Sequence, residues 1–222
     1  FALVGGDEFG PLCVALDLKI LAMCGSKLPK VAILPTAAAH ERPDLATKNG
    51  IRHFSSLGAD PFALDVLTHD DAQNPDTVSC LGGADLIYMT GGNPGHLLTV
   101  LSNSLLLDEM LKASRAGCVV AGSSAGAMVL GSQMLMGRPT DALNMVSKTI
   151  TIPHHENRDP ADTHSQLESL LKSGSTAFGI DGATGVLFEG NRCSVQGSGT
   201  VTVYRLETWE NFLPGQVIQT VY

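Results

Sequence analysis

Short apolar, β-branched runs alternate along this chain with longer amphipathic stretches. The short runs predict strands at Phe1–Val4, Val31–Pro35, Phe62–Val66, Leu86–Thr90, Cys118–Ala121, Lys148–Ile152, Gly185–Phe188 and Val201–Leu206. The longer ones predict helices at Pro11–Cys24, Pro43–Leu57, Pro94–Leu101, Leu106–Ala116, Ala125–Leu135 and Ala161–Leu171. Alternation of the two as far as Leu135 implies an α/β fold in three layers, a mostly parallel central sheet flanked by helices. Runs such as Val31-Ala32-Ile33-Leu34 are apolar at every position, as strands covered on both faces must be. After Gly190 short strands and turns such as Gly197-Ser198-Gly199 predict a short antiparallel C-terminal extension. No linker, repeat or low-complexity tract interrupts the chain, so residues 1–222 are expected to form one domain.

In open α/β sheets ligands collect at the carboxyl ends of the strands. Three polar stretches fall there: Gly91-Gly92-Asn93, Ser123-Ser124 and His154-His155. Composition narrows what they can bind. With 44% hydrophobic and 16% charged residues the chain is globular, and its net charge of −8 includes no basic patch to hold nucleic acid. No apolar run reaches the roughly 18 residues of a membrane-spanning helix. The opening Phe1-Ala2-Leu3-Val4-Gly5-Gly6 reads as a first strand and not as a signal peptide; lacking an initiator Met, the chain is expected to miss a few residues. Five cysteines, an odd number with no C-x-x-C spacing, fit a reducing, cytoplasmic compartment, with Cys13 and Cys118 as buried thiols.

The sharpest chemical signal is Gly122-Ser123-Ser124-Ala125-Gly126 between an apolar strand and a helix start. In a nucleophile elbow this G-x-S-x-G pattern lifts a serine hydroxyl, here that of Ser124, into a cleft. A plain tight strand-to-helix connection carries the same residues, so the motif needs company. A serine requires a base. His154 stands just past the apolar run Thr149–Ile152, where it can reach the cleft, whereas His40, His53, His69, His96 and His164 lie in polar or helical surroundings that suit exposure or capping. A carboxylate orienting the imidazole is supplied by Asp141 or Asp181; each also reads as a turn aspartate. The amides of Ala125 and Gly92 are the candidate oxyanion donors. Asn93 and Arg158 are the candidates for holding substrate. His154-His155-Glu156 lacks any metal-ligand spacing and no G-x-x-x-x-G-K occurs, so neither metal nor cofactor is expected.

Together, Ala2-Leu3-Val4-Gly5-Gly6, Tyr88-Met89-Thr90-Gly91-Gly92-Asn93, Gly122-Ser123-Ser124-Ala125-Gly126-Ala127, Pro153-His154 and Gly179-Ile180-Asp181 resemble the dipeptidase E and cyanophycinase family of serine peptidases. The resemblance spans most of the chain in the family's order. It implies a fold like flavodoxin and the class I glutamine amidotransferases, Ser124 as nucleophile, His154 as base, and the Gly92 and Ala125 amides as oxyanion hole. Ordinary α/β-hydrolases share the elbow but place their histidine far downstream; here it follows thirty positions on. Two features depart from the family. Its triad acid is a glutamate at the place held here by Gly182, which leaves Asp181 narrowly favoured over Asp141. Its aspartyl dipeptidases carry arginines after the histidine, whereas Asp162–Glu168 has none and only Arg158 precedes it, so a strict preference for N-terminal Asp is not expected. The expected activity is therefore hydrolysis of small peptides by a dipeptidase or exopeptidase. The alternatives are a non-catalytic peptide- or amino-acid-binding homologue and an amidase or acyltransferase acting on another substrate. A homodimer fits the family.

Overall fold

The computed structural model describes residues 1–190 and 192–219. Its first half runs β1 (Ala2–Val4), α1 (Val14–Met23), β2 (Lys30–Leu34), α2 (Pro43–Ser56), β3 (Asp60–Ala63), α3 (His69–Ala72), α4 (Pro75–Ser79), β4 (Leu86–Met89), α5 (Pro94–Leu101) and α6 (Leu105–Arg115). It continues with β5 (Val119–Ser123), α7 (Ala125–Leu130), β6 (Gln133–Leu135), β7 (Pro139–Asp141), β8 (Thr149–Pro153), α8 (Pro160–Lys172) and β9 (Thr176–Ile180). Last come β10 (Thr184–Glu189), β11 (Arg192–Gly197), β12 (Val201–Tyr204), β13 (Trp209–Phe212) and β14 (Val217–Ile218). Helix starts follow local chemistry. Pro43, Pro75, Pro94 and Pro160 open their helices, where a missing N–H costs nothing, and the side chains of Asn74, Asn93, Ser104 and Asp159 accept the first orphan amides.

The large sheet has the order β14-β11-β10-β1-β5-β4-β2-β3. From β1 to β3 every pairing is parallel; β10, β11 and β14 extend it antiparallel. β1, β4 and β5 are buried at every position, as their unbroken apolar runs require. One face packs Leu97, Met110 and Val129 from α5, α6 and α7; the other packs Leu16, Ile20 and Phe54 from α1 and α2. A second sheet, β13-β12-β9-β8, buries Ile150, Ala177 and Tyr204 against Leu167 and Leu170 of α8.

Three expectations change. The helix foreseen over Ala125–Leu135 stops at Leu130, because a Cβ on Gly131 would lie 2.5 Å from the Thr149 carbonyl oxygen. The chain turns there, and Gln133–Leu135 becomes one arm of the β6–β7 hairpin. The strand foreseen at Lys148–Ile152 forms as β8 but pairs with β9 in the second sheet, outside the central one. His53 is neither exposed nor a cap: it is buried on α2, with Nε2 2.7 Å from Asp17 Oδ2 of α1. Cys13 is buried as foreseen, Cys118 only half-buried, and burial pushes both thiols up to about 12. No described helix is long and apolar enough to cross a membrane.

Candidate active site

The central strands β1, β4 and β5 deliver three loops to one end of the large sheet, and β8 brings a fourth from the small sheet. Ser124 occupies the single residue between β5 and α7, with φ 47° and ψ −105°, a region disfavoured for any residue with a side chain. Glycine permits that turn. A Cβ on Gly122 would lie 2.3 Å from the Gly126 carbonyl carbon, and one on Gly126 would lie 2.7 Å from the Met89 oxygen. The helix therefore begins directly over the strand it leaves, the strand-to-helix geometry of a nucleophile elbow. The Ala125 N–H, at the first position of α7, lies outside the intrahelical ladder, and among the described residues it has no acceptor.

His154 follows β8 in the left-handed conformation, φ 50° and ψ 52°. Its backbone N–H donates to the Gly5 carbonyl at 3.0 Å, while the Ser124 N–H donates to the adjacent Val4 carbonyl at 2.9 Å. Two consecutive carbonyls at the end of β1 thus seat both residues. The imidazole rests on Gly6: a Cβ there would be 2.1 Å from His154 Cε1 and 2.7 Å from either ring nitrogen. Among the described residues no hydrogen bond joins the Ser124 and His154 side chains.

The third wall is the loop after β4. Gly92 has φ 137°, and a Cβ on it would lie 2.2 Å from the Ala37 oxygen, so the loop lies flat on the 37–38 turn. The next amide, Asn93 N–H, donates to that same oxygen at 2.7 Å, leaving the Gly92 N–H unengaged among the described residues. Glu8 ties this loop to the elbow: its Oε1 accepts the Gly91 N–H at 2.8 Å and its Oε2 accepts the Ser123 hydroxyl at 2.7 Å. Ser124, His154, Gly91, Gly92 and Glu8 share a cleft of about 420 Å³ that Phe9, Ala38, Leu45, Ala46 and Asn49 also line. Glu41 and Arg42 stand at its mouth.

The structure thus brings Ser124, His154 and Gly92 to one cleft, with the Ala125 amide at the elbow itself. Among the described residues no hydrogen bond joins either expected acid to His154. Asp141 belongs to the exposed β6–β7 hairpin, where its Oδ1 accepts from Gln133 Nε2 at 3.0 Å. Asp181 directly follows β9, and its Oδ2 accepts the Thr200 N–H at 2.8 Å. The Asp181 charge acts instead on His155, which is buried with Nε2 2.7 Å from the Tyr204 hydroxyl; burial lowers the His155 pKa despite that charge. Asn93 is also committed, its side chain accepting the His96 N–H to cap α5. Arg158 lies outside the cleft, and Arg42 is the arginine found there.

Three cleft or near-cleft residues were not singled out from sequence. Glu8 and Arg42 carry no spacing signal in the sequence. Glu156 follows His154 by two positions, and its Oε2 accepts the Gly182 N–H at 3.0 Å. Burial alone would raise the Glu156 carboxyl. Hydrogen bonds from its own amide and from Gly182, with the charges of His154 and His155, outweigh burial and hold it below the ordinary value. No group of three potential metal ligands occurs among the described residues.

Comparison with known proteins places the chain among peptidases. A cyanophycinase of Geminocystis herdmanii is 28% identical over 190 residues, covering 78% of this chain and 68% of that protein. The chain thus spans about two thirds of that relative's length. The crystal structure of a peptidase from an acI-B1 actinobacterium superposes with a TM-score of 0.88 at 27% identity, covering 99% of this chain and 96% of the other. A peptidase E protein of Listeria monocytogenes shares the fold at a TM-score of 0.62 and 21% identity, covering 89% of this chain and 98% of the other. Residues 3–196 match the profile of Peptidase family S51, a span that includes the Ser124 elbow, the Gly92 loop and His154; the chain belongs to that family.

Proposed function

We propose that the protein is a serine peptidase of small peptides, acting as a dipeptidase or exopeptidase. The observation that carries this reading is the strained Ser124 turn, opening into the same cleft as His154 and the unengaged Gly92 amide. In the proposed reaction the Ser124 hydroxyl attacks the scissile carbonyl while His154 takes its proton. The Gly92 and Ala125 amides receive the developing oxyanion. His154 returns the proton to the leaving amine, and an acyl-enzyme remains on Ser124. Water, deprotonated by His154, then releases the acid. No group beyond the chain's own side chains is required. A cleft of about 420 Å³ with mixed charge at its mouth suits the two charged termini of a short peptide. Arg42 offers one cation and Glu41 one anion, so a strict requirement for an acidic first residue is not expected.

The direct test is intact mass after incubation with a fluorophosphonate. A single adduct mapping to Ser124 is the expected result. Among the described residues no carboxylate is hydrogen-bonded to the His154 ring, which favours one rival, a non-catalytic binding homologue. An unlabelled but folded protein that binds a dipeptide would establish that rival. Ester or amide turnover without peptide cleavage would point to the amidase or acyltransferase reading.

Gly6→Ala probes the seat of the base. A methyl at that position overlaps the imidazole, and φ 144° strains any side chain. The ring must move by an ångström or more, a displacement worth about 10²-fold in rate. The rate of fluorophosphonate labelling is expected to fall by about that factor, and an unchanged rate would mean His154 is not the base.

A further inference from the structure

The acids of the cleft and of the loops beside it are nearly all held by hydrogen bonds. Glu8 holds Gly91 and Ser123, Glu156 holds the Gly182 amide, and Asp181 holds the Thr200 amide. Asp7 is the exception. Its backbone carbonyl accepts from Gly10 N–H and Cys13 Sγ, but its carboxylate accepts no hydrogen bond from the described residues. That carboxylate has a defined place. Asp7 Oδ2 lies 2.2 Å, and Cγ 3.0 Å, from where a Cβ on Gly182 would stand. Asp7 also immediately follows Gly6, on which the His154 ring rests. The ring lies within roughly 4 Å of the Gly6 Cα, and the Asp7 Cα is about 3.8 Å further along a trans peptide. These bounds put the Asp7 Cα within about 8 Å of the ring. The backbone of Asp7 is left-handed, φ 59°, a conformation disfavoured for a residue with a side chain and concentrated at functional sites.

We propose that Asp7 is the positioning residue of the Ser124–His154 pair. Its carboxylate accepts the imidazole N–H that faces away from Ser124, fixes the tautomer in which the other nitrogen can take the serine proton, and stabilises the imidazolium formed. No proton passes to Asp7. The hydrogen bond tightens when substrate orders the site, since catalytic hydrogen bonds are often long in the empty enzyme, while the charge of the carboxylate already acts on the ring in the free protein. This inference rests on the reading of Ser124 and His154 as nucleophile and base.

The geometry also supplies a rescue. Gly182 is not in the left-handed region, and the three nearest atoms its Cβ would meet all belong to the Asp7 carboxylate. Positions 7 and 182 therefore compete for one volume. Asp7→Ala combined with Gly182→Glu places a carboxylate there from the opposite side.

The experiment measures fluorophosphonate labelling of Ser124 against pH, together with the NMR titration of the His154 ring. Asp7→Asn is expected to slow labelling by about 10²-fold or more. It should also move the acid limb and the ring titration to lower pH, because the imidazolium loses its anionic partner. The Asp7→Ala/Gly182→Glu double variant should move both back and recover much of the rate. A purely structural role for Asp7 would lower the rate without moving the midpoint. Two results overturn the proposal: an Asp7→Asn protein with the wild-type His154 midpoint, or a midpoint that moves only in Glu156→Gln. If wild-type protein is never labelled, the reading of Ser124 fails. The ring titration, which needs no activity, still decides whether Asp7 faces His154.

Discussion

Replacement of Ser124 by alanine is expected to lower kcat/KM for a dipeptide or an activated ester by about 10⁴- to 10⁶-fold, leaving the weak background that oxyanion donors and binding supply alone. The fold should not suffer. Ser124 makes no side-chain cap on α7, and alanine inherits the same backbone angles, φ 47° and ψ −105°. Glycine there separates strain from chemistry. Residues in such regions carry a cost on the order of 1–3 kcal/mol, which glycine relieves. Ser124→Gly should therefore be as inactive as Ser124→Ala yet melt a few degrees higher, at roughly 2–4 °C per kcal/mol for a chain of this size. Calorimetry of the two variants beside an activity assay makes the comparison. A Ser124→Ala enzyme with appreciable turnover, or a Ser124→Gly protein no more stable than wild type, would remove the elbow from the account.

His53→Ala should be the most destabilising single change away from the cleft. Asp17 is fully buried between α1 and α2, with His53 as its partner at 2.7 Å; its Oδ1 has none. Burial raises the Asp17 carboxyl above its usual range, and the His53 hydrogen bond and charge only partly oppose that. Removing His53 strands a buried carboxylate, at a cost of about 3–5 kcal/mol. The sign of the pH dependence follows from the raised value. The folded state binds the Asp17 proton more tightly than the unfolded chain. The group's contribution is therefore most favourable below the ordinary carboxylate pKa and is lost as pH rises through the raised one. The deficit of His53→Ala should thus be widest at neutral pH and narrow in acid, where Asp17 is protonated in both states. Urea denaturation at neutral and acidic pH measures this. The double variant Asp17→Leu/His53→Leu should recover most of the loss; a double variant as unstable as His53→Ala would mean that shape, and not charge, decides.

The parallel half of the fold was legible because β1, β2, β4 and β5 are buried on both faces and write that fact as unbroken apolar runs. The elbow was legible because its glycines have to sit at fixed offsets from Ser124. Pairing is a different matter. Thr149-Ile150-Thr151-Ile152 announces a strand, but nothing in its alternation says that its neighbour is β9 and not a strand of the central sheet. The end of α7 depended on Gly131 meeting the Thr149 oxygen, a contact between segments distant in the chain. The same blindness covered the acids. Asp141 and Asp181 stood beside apolar runs and looked apt, while the hairpin that occupies one and the Thr200 amide that occupies the other exist only after folding. Asp7 and Glu8 lay unnoticed beside Gly5 and Gly6, since their worth comes from what β4, β5 and β9 bring to meet them.

The two carbonyls at the end of β1 have a bearing on how the site tolerates motion. Ser124 belongs to the large sheet and His154 to the small one, so flexing between the sheets would be expected to open the gap that proton transfer must cross. Both amides are instead pinned to neighbouring oxygens, those of Val4 and Gly5. One peptide unit serves as a common datum, like a jig in which two parts are clamped to the same edge. A shift of β1 carries the backbones of Ser124 and His154 together. Flexing between the sheets is thereby kept from separating the two residues, which are held apart by the width of a single residue.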